Sequence, residues 1–138
     1  MYMKAAGYST VPLAKKLGIK SMSTIRVLNA PEYYYELFSD LPDDLKEVIR
    51  GTQKVDFLHY FTMNRNYLKK DIRKLKSAIK KEGIIWVSWP KKASGIITDI
   101  DENFIREIAL ENGLVDVKVC AIDDIWSGLK LVIPVKSR

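Results

Sequence analysis

Apolar residues recur along this chain with two periods, and the changes between them mark out its elements. The sharpest stretch is 64–82. Leu68, Ile72, Leu75 and Ile79 stand four, three and four residues apart. That spacing predicts one stripe of an α-helix, with basic side chains filling the opposite arc. Thr62 or Asn64 supplies an N-cap, and Gly83 a C-terminal stop. A second helix is predicted over 101–112, with Phe104, Ile105 and Ile108 inward, Asp99 and Glu102 as a capping pair, and Gly113 at its end. Runs 25–28, 55–61 and 84–89 are short and apolar, which reads as buried strands. From 115 the period becomes two. Val115, Val117, Val119 and Ala121 share one face, with Asp116 and Lys118 on the other; Leu129, Leu131, Ile133 and Val135 alternate with Lys130 and Lys136. Two alternating runs about a short connection predict a β-hairpin.

The remaining segments are shorter. Residues 1–20 read as an arm and a short helix, capped by Ser9 or Thr10, with Pro12 in its first turn, Leu13 and Leu17 inward, and Gly18 as its stop. Asn29-Ala30-Pro31 opens a helix near 32–39 that carries Tyr33, Tyr34, Tyr35, Leu37 and Phe38. Segment 45–50 fits either a short helix or an edge strand. Strands alternating with helices predict an α/β fold with a mostly parallel sheet, helices on both faces and a C-terminal antiparallel hairpin. At 138 residues, 1–138 is expected to be a single domain.

Composition narrows the chemistry. Hydrophobic residues are 47% and charged residues 29%, ordinary globular usage and not that of a disordered chain. No run approaches the ~18 apolar residues of a membrane span. Cys120 has no second cysteine for a disulfide or a thiolate zinc site. No metal-ligand spacing and no phosphate-loop motif occurs, so no metal and no cofactor is expected. The first residues lack an apolar signal core, and a reducing cytoplasm is the expected compartment. The net charge of +6 is concentrated: 65–81 holds Arg65, Lys69, Lys70, Arg73, Lys74, Lys76, Lys80 and Lys81 against Asp71 alone.

The element order resembles the C-terminal part of a Rossmann-like methyltransferase, with 83–91 in the place of the fifth strand and 115–135 in that of the terminal antiparallel pair. Such enzymes carry a glycine-rich turn after the first strand, because only glycine lets the backbone approach the cofactor closely. Here that stretch is Leu28-Asn29-Ala30-Pro31-Glu32-Tyr33, without glycine. The place of the acidic residue that would hold the ribose hydroxyls has Arg50-Gly51. The resemblance therefore implies a degenerate, methyltransferase-like fold that does not take S-adenosylmethionine. Three blocks also resemble a small bacterial family of unknown function: Ala6-Gly7-Tyr8-Ser9 with 12–20, Trp86–Lys92, and 116–123 with 126–130.

In open α/β sheets ligands bind beyond the carboxyl ends of the strands. The segments expected there are Asn29-Ala30, 62–65, 89–95 and 123–128. They nominate Asn29, Asn64, Trp89, Lys91, Lys92, Ser94, Asp123 and Trp126 as a ligand site, with an anion on the helix N-termini near Asn64 and Asp101 helped by the lysines. Asp123 and Asp124 could orient those lysines, or simply pair with them in solvent. His59 reads as a structural histidine within a central strand, Cys120 as a packing residue, and no catalytic set can be assembled by spacing. The preferred expectation is a non-catalytic domain that binds a ligand or partner, the ligand a small anion. One alternative is an enzyme acting on a small anionic substrate at the strand ends. Another is a weak nucleic-acid module using Lys69, Lys70, Arg73 and Lys74, for which Tyr67 is the only aromatic in the segment.

Overall fold

A computed structural model describes residues 11–138. The expected Ser9 or Thr10 cap lies outside them. Six strands form one sheet: β1 (Thr24–Leu28), β2 (Lys46–Glu47), β3 (Val55–Phe61), β4 (Ile79–Pro90), β5 (Val115–Ala121) and β6 (Trp126–Val132). Their order is β2-β1-β3-β4-β6-β5. The first four run parallel, and β6 is antiparallel to both its neighbours. Helices α1 (Leu13–Leu17), α2 (Arg65–Ser77) and α3 (Glu102–Glu111) flank it.

The period of two along β3 and β4 sorts their side chains between two cores. On one face Leu58, Tyr60, Ile85, Val87, Leu129 and Leu131 meet Leu68, Ile72 and Leu75 of α2 and Ile105 and Ala109 of α3. On the other, Ile25, Phe57, Trp86 and Ile122 meet Ala14 and Leu17 of α1. Each buried Leu, Ile or Phe contributes about 1.5–3 kcal/mol. Trp86 and Trp89 point to opposite faces and are both buried. The Trp86 Nε1–H donates to Leu17 O at 2.8 Å, which fixes α1 on the sheet.

Several boundaries differ from the sequence expectation. Helix α2 stops at Ser77, because Ile79 is taken up by β4, where it pairs with Val55. The Ile79 side chain is buried in the same core either way, so its place in the stripe could not reveal the change. Gly83 lies inside β4. The pairing there jumps from Val55–Ile79 to Phe57–Ile84, and a Cβ on Gly83 would sit 2.9 Å from that of Ile79 and 3.0 Å from Lys80 O. The glycine is needed for that close approach, not to end a helix.

The helix expected at 32–39 is a single 3-10 turn, Tyr34–Leu37. The chain leaves it early to bring Asp40 under α1, where its carboxylate accepts from Ala14 N–H at 2.9 Å and Lys15 N–H at 3.0 Å. Pro12, the N-cap of α1, has no side-chain oxygen to do this. Segment 45–50 resolves as the edge strand β2. Asp101, not Asp99, caps α3 by accepting from Phe104 N–H at 2.8 Å. In β5 the single valine face is broken: Asp116 pairs with Leu131 and Lys118 with Lys130, so Val117 is the extra residue of a bulge. Val117 and Val119 are left exposed on this edge strand.

Candidate functional site at the carboxyl ends of the strands

Strand β1 ends at Leu28, and Asn29 turns the chain with φ of 60°. Asparagine tolerates this left-handed conformation better than most residues. Its Nδ2 donates to Phe61 O at 3.3 Å, tying the ends of β1 and β3 together. Beyond Phe61, Thr62 N–H donates to Ser88 O. Asn64 then opens α2, its Oδ1 accepting from Asn66 N–H at 2.8 Å and Tyr67 N–H at 3.3 Å. Asp99 Oδ1 takes Arg65 N–H at 2.8 Å. The amides at the start of α2 are thus already filled by side chains.

Trp126 enters from the hairpin. Asp123 Oδ1 accepts from both Ile125 N–H and Trp126 N–H at 2.8 Å, and its Oδ2 accepts from the Tyr33 hydroxyl at 3.0 Å. Burial, then Asp123 itself, raise the Tyr33 pKa. The Trp126 ring stands edge-on to Phe61, with centroids 5.0 Å apart. A cavity of about 480 Å³ opens over this pair, lined by Asn29, Phe61, Thr62, Met63, Asn64, Tyr67, Ile97 and Trp126. Three of these apolar side chains face solvent: Ile97 is 94% exposed, Tyr67 61% and Met63 49%. The Ile97 loop is held there by Thr98 Oγ1, which donates to Met63 O at 2.7 Å.

The eight nominated residues divide. Asn29, Asn64 and Trp126 meet on this cavity. Trp89 and Lys92 line a neighbouring one of about 450 Å³, with Arg65, Asp99 and Asp101. Lys91, Ser94 and Asp123 are among the described lining residues of neither. Ser94 Oγ staples its own turn to Lys91 O at 2.7 Å, and Lys91 N–H donates to Ile125 O at 2.7 Å, joining that loop to the hairpin. No ion pair among the described residues links Lys91 or Lys92 to Asp123 or Asp124; the Asp123 carboxylate is occupied by Tyr33 and its own turn. Sequence reasoning did not nominate Phe61, Tyr67 or Ile97. Their one signal was an apolar pair, Ile96-Ile97, in an otherwise polar loop.

Beneath Phe61 lies a sealed polar chain. His59 is fully buried and stacks on Phe61 at 4.3 Å. Its Nδ1 lies 2.9 Å from the Tyr34 hydroxyl and its Nε2 2.7 Å from Ser88 Oγ. Burial pushes its pKa down to about 3. Tyr34 and Ser88 are also buried, so the histidine satisfies the core and lines none of the described cavities. On α2, Lys69, Lys70, Arg73 and Lys74 are exposed. Among the described residues, no group of three or more His, Cys, Asp or Glu side chains could hold a metal, and no helix is long and apolar enough to cross a membrane.

No sequence-family profile matches the chain, and no curated protein matches it. Solved structures do. An O-methyltransferase from neocarzinostatin biosynthesis, in complex with S-adenosylmethionine and a naphthoic acid, superposes with a TM-score of 0.61 at 9% identity, over 82% of this chain. The fold is that of the Rossmann-like methyltransferases. A S-adenosylmethionine-dependent methyltransferase from Aquifex aeolicus gives 0.59 at 13% identity, over 87% of both chains. A Burkholderia thailandensis N1-methyltransferase with bound 1,6-didemethyltoxoflavin and S-adenosylhomocysteine gives 0.58 at 10% identity, over 86% of this chain and 73% of its own. The present chain spans only 49% of the neocarzinostatin enzyme. Identities this low carry the architecture and not the activity.

Proposed function

We propose that this protein is a ligand-binding domain of methyltransferase-like fold, whose ligand has a flat apolar body and seats between Trp126 and Tyr67. The observation that carries this reading is the cavity at the carboxyl ends of β1 and β3. Phe61 and Trp126 form its floor, and the exposed side chains of Met63, Tyr67 and Ile97 gather at it. Its volume is within the ~300–1,000 Å³ of small-molecule sites, which pair apolar walls with a few polar groups; Asn29, Thr62 and Asn64 are those groups. None of the described lining residues is a carboxylate, histidine, cysteine or lysine, which favours binding over acid–base catalysis. An anionic substituent on the ligand would point toward Lys92 in the adjoining cavity. S-Adenosylmethionine fits poorly, since Asn29 replaces the glycine turn and no described lining carboxylate could hold a ribose. The free thiol of Cys120 suits a reducing, cytoplasmic setting.

One neighbour of this fold, the neocarzinostatin O-methyltransferase, holds naphthoic acids in two of its structures, so 1,4-dihydroxy-2-naphthoic acid is a suitable first probe. Calorimetry should give saturable binding to wild type, weakened tenfold or more, about 1.4 kcal/mol, by either Trp126→Ala or Tyr67→Ala. Tyr67 is largely exposed, so its loss spares the fold. Naphthoate binding that ignores both changes, or saturable S-adenosylmethionine binding lost on changing Asn29, would sink the proposal.

A further inference from the structure

On the α1 side of the sheet, the row through His59 and Trp86 continues outward to Lys130 and then Lys118, as successive cross-strand partners. Lysines directly opposite one another on antiparallel strands repel and destabilise the pairing. The bulge at Val117 creates this apposition. Lys130 is only half-exposed, and burial, with Lys118 and Lys20 nearby, pulls its pKa down. Lys16 reaches the end of the same strand from α1, donating from Nζ to Ala121 O at 3.2 Å. Cys120 sits among them: burial raises its pKa, while Lys16, Lys118 and Lys130 act to lower it. Among the described residues, no ion pair involves any of the four lysines. Nor do the first ten residues of the chain contain an Asp or Glu that could neutralise them.

We infer that Lys16, Lys20, Lys118 and Lys130 form a site for a multivalent phosphate-type oxyanion on the sheet face beside β5 and β6, separate from the cavity at the strand ends. Cross-strand Cβ atoms are ~4.5–5.5 Å apart, close enough for two ammonium groups to converge on one ligand. Lysine is a compact point charge with three donors, suited to phosphate oxygens without fixed orientation. Lys16 is already aimed by its hydrogen bond to Ala121 O. None of the four lines the described cavities at the strand ends, so this site stands or falls independently of the naphthoate result.

Cys120 is a built-in reporter. A bound polyanion neutralises the lysines that favour the thiolate and also covers the sulfur. At low salt, inorganic triphosphate should slow iodoacetamide alkylation of Cys120 severalfold in wild type. The slowing should persist when Lys69 on α2 becomes Met, which removes the same net charge elsewhere. It should vanish in Lys118→Met and in Lys130→Met, each of which should melt at a higher Tm than wild type without ligand, because a repulsion has gone. Equal protection in those two variants, equal loss in the α2 control, or a lower ligand-free Tm for both would overturn the inference. A short single-stranded oligonucleotide separates the sources. Protection by both assigns the site to phosphodiesters, protection by triphosphate alone assigns it to a free polyphosphate, and protection by neither refutes it.

Discussion

Between pH 7 and pH 5, acid should weaken this protein through one residue, His59. Its side chain is fully buried, and its pKa is held near 3 by desolvation, against ~6.5 in an unfolded chain. Between those values the unfolded state binds a proton that the folded state refuses. The stability that this group contributes is therefore present above pH 6.5 and drains away as pH falls toward 3. Relative to neutral pH the loss is about 2 kcal/mol at pH 5, close to 7 °C of Tm for a domain of this length, and it steepens toward ~1.4 kcal/mol per pH unit. Because His59 is the only histidine, its imidazole Hε1 resonance can be followed directly, and it should stay flat from pH 8 to pH 5. Urea unfolding over the same range should show a slope in wild type that is absent from His59→Gln, whose amide can still meet Tyr34 and Ser88. Carboxylates such as Asp56, lowered in pKa despite an opposing burial effect because Thr24 and Lys80 bind it, lose their contribution at lower pH. A native resonance that titrates near 6.5, or equal slopes in the two proteins, refutes the reasoning.

Two further changes test the packing that places the site. Asp40→Ala removes the carboxylate that caps α1 from 25 residues away; it should cost about 1 kcal/mol in urea unfolding, and no loss would mean that water caps α1 equally well. Gly128→Ala would put a Cβ 3.0 Å from Trp86 Cε3 and 3.1 Å from both Ile122 Cδ1 and Ser88 Oγ. With the indole held by Leu17 O, about 1–3 kcal/mol should be lost, and wild-type stability in that variant would show that β6 can shift outward.

Elements were legible wherever one physical signal acted alone. Strand β3 is apolar and bounded by polar residues, and α3 carries a clean stripe, so both stand where periodicity puts them. Where two uses of a residue agreed, the sequence was silent. Ile79 belongs to the same core as a helical or a strand residue, and only its pairing with Val55 decides between them. Asp99 and Asp101 are both plausible caps; Asp99 is diverted to Arg65 N–H of α2, a tertiary contact with no local trace. At the site, Asn29, Asn64 and Trp126 were legible because topology alone brings strand ends together. Phe61 reads as core, and Tyr67 and Ile97 become walls only once α2 and the 96–99 loop stand side by side. The Lys118–Lys130 apposition was hidden for a similar reason, since unbroken alternation conceals the bulge that creates it.

The filled amides at the helix N-termini move the expected anion. A helix N-terminus attracts anions through unsatisfied amides and a partial positive charge. In α2 those amides are taken by Asn64 and Asp99, and in α3 Phe104 N–H is taken by Asp101. Two of the three filling groups are carboxylates, which lower the local potential as well as occupying the donors. The strand ends are therefore left with an apolar, hydrogen-bonded concavity, better matched to an aromatic surface than to a phosphate. Two lysines with no ion pair among the described residues lie instead toward the far edge of the sheet, where Lys130 is half out of water and Lys118 stands opposite it. A ligand that used both regions would need its charge and its apolar body well apart. Two separate ligands need only each region's own chemistry, and triphosphate should then leave naphthoate binding unchanged.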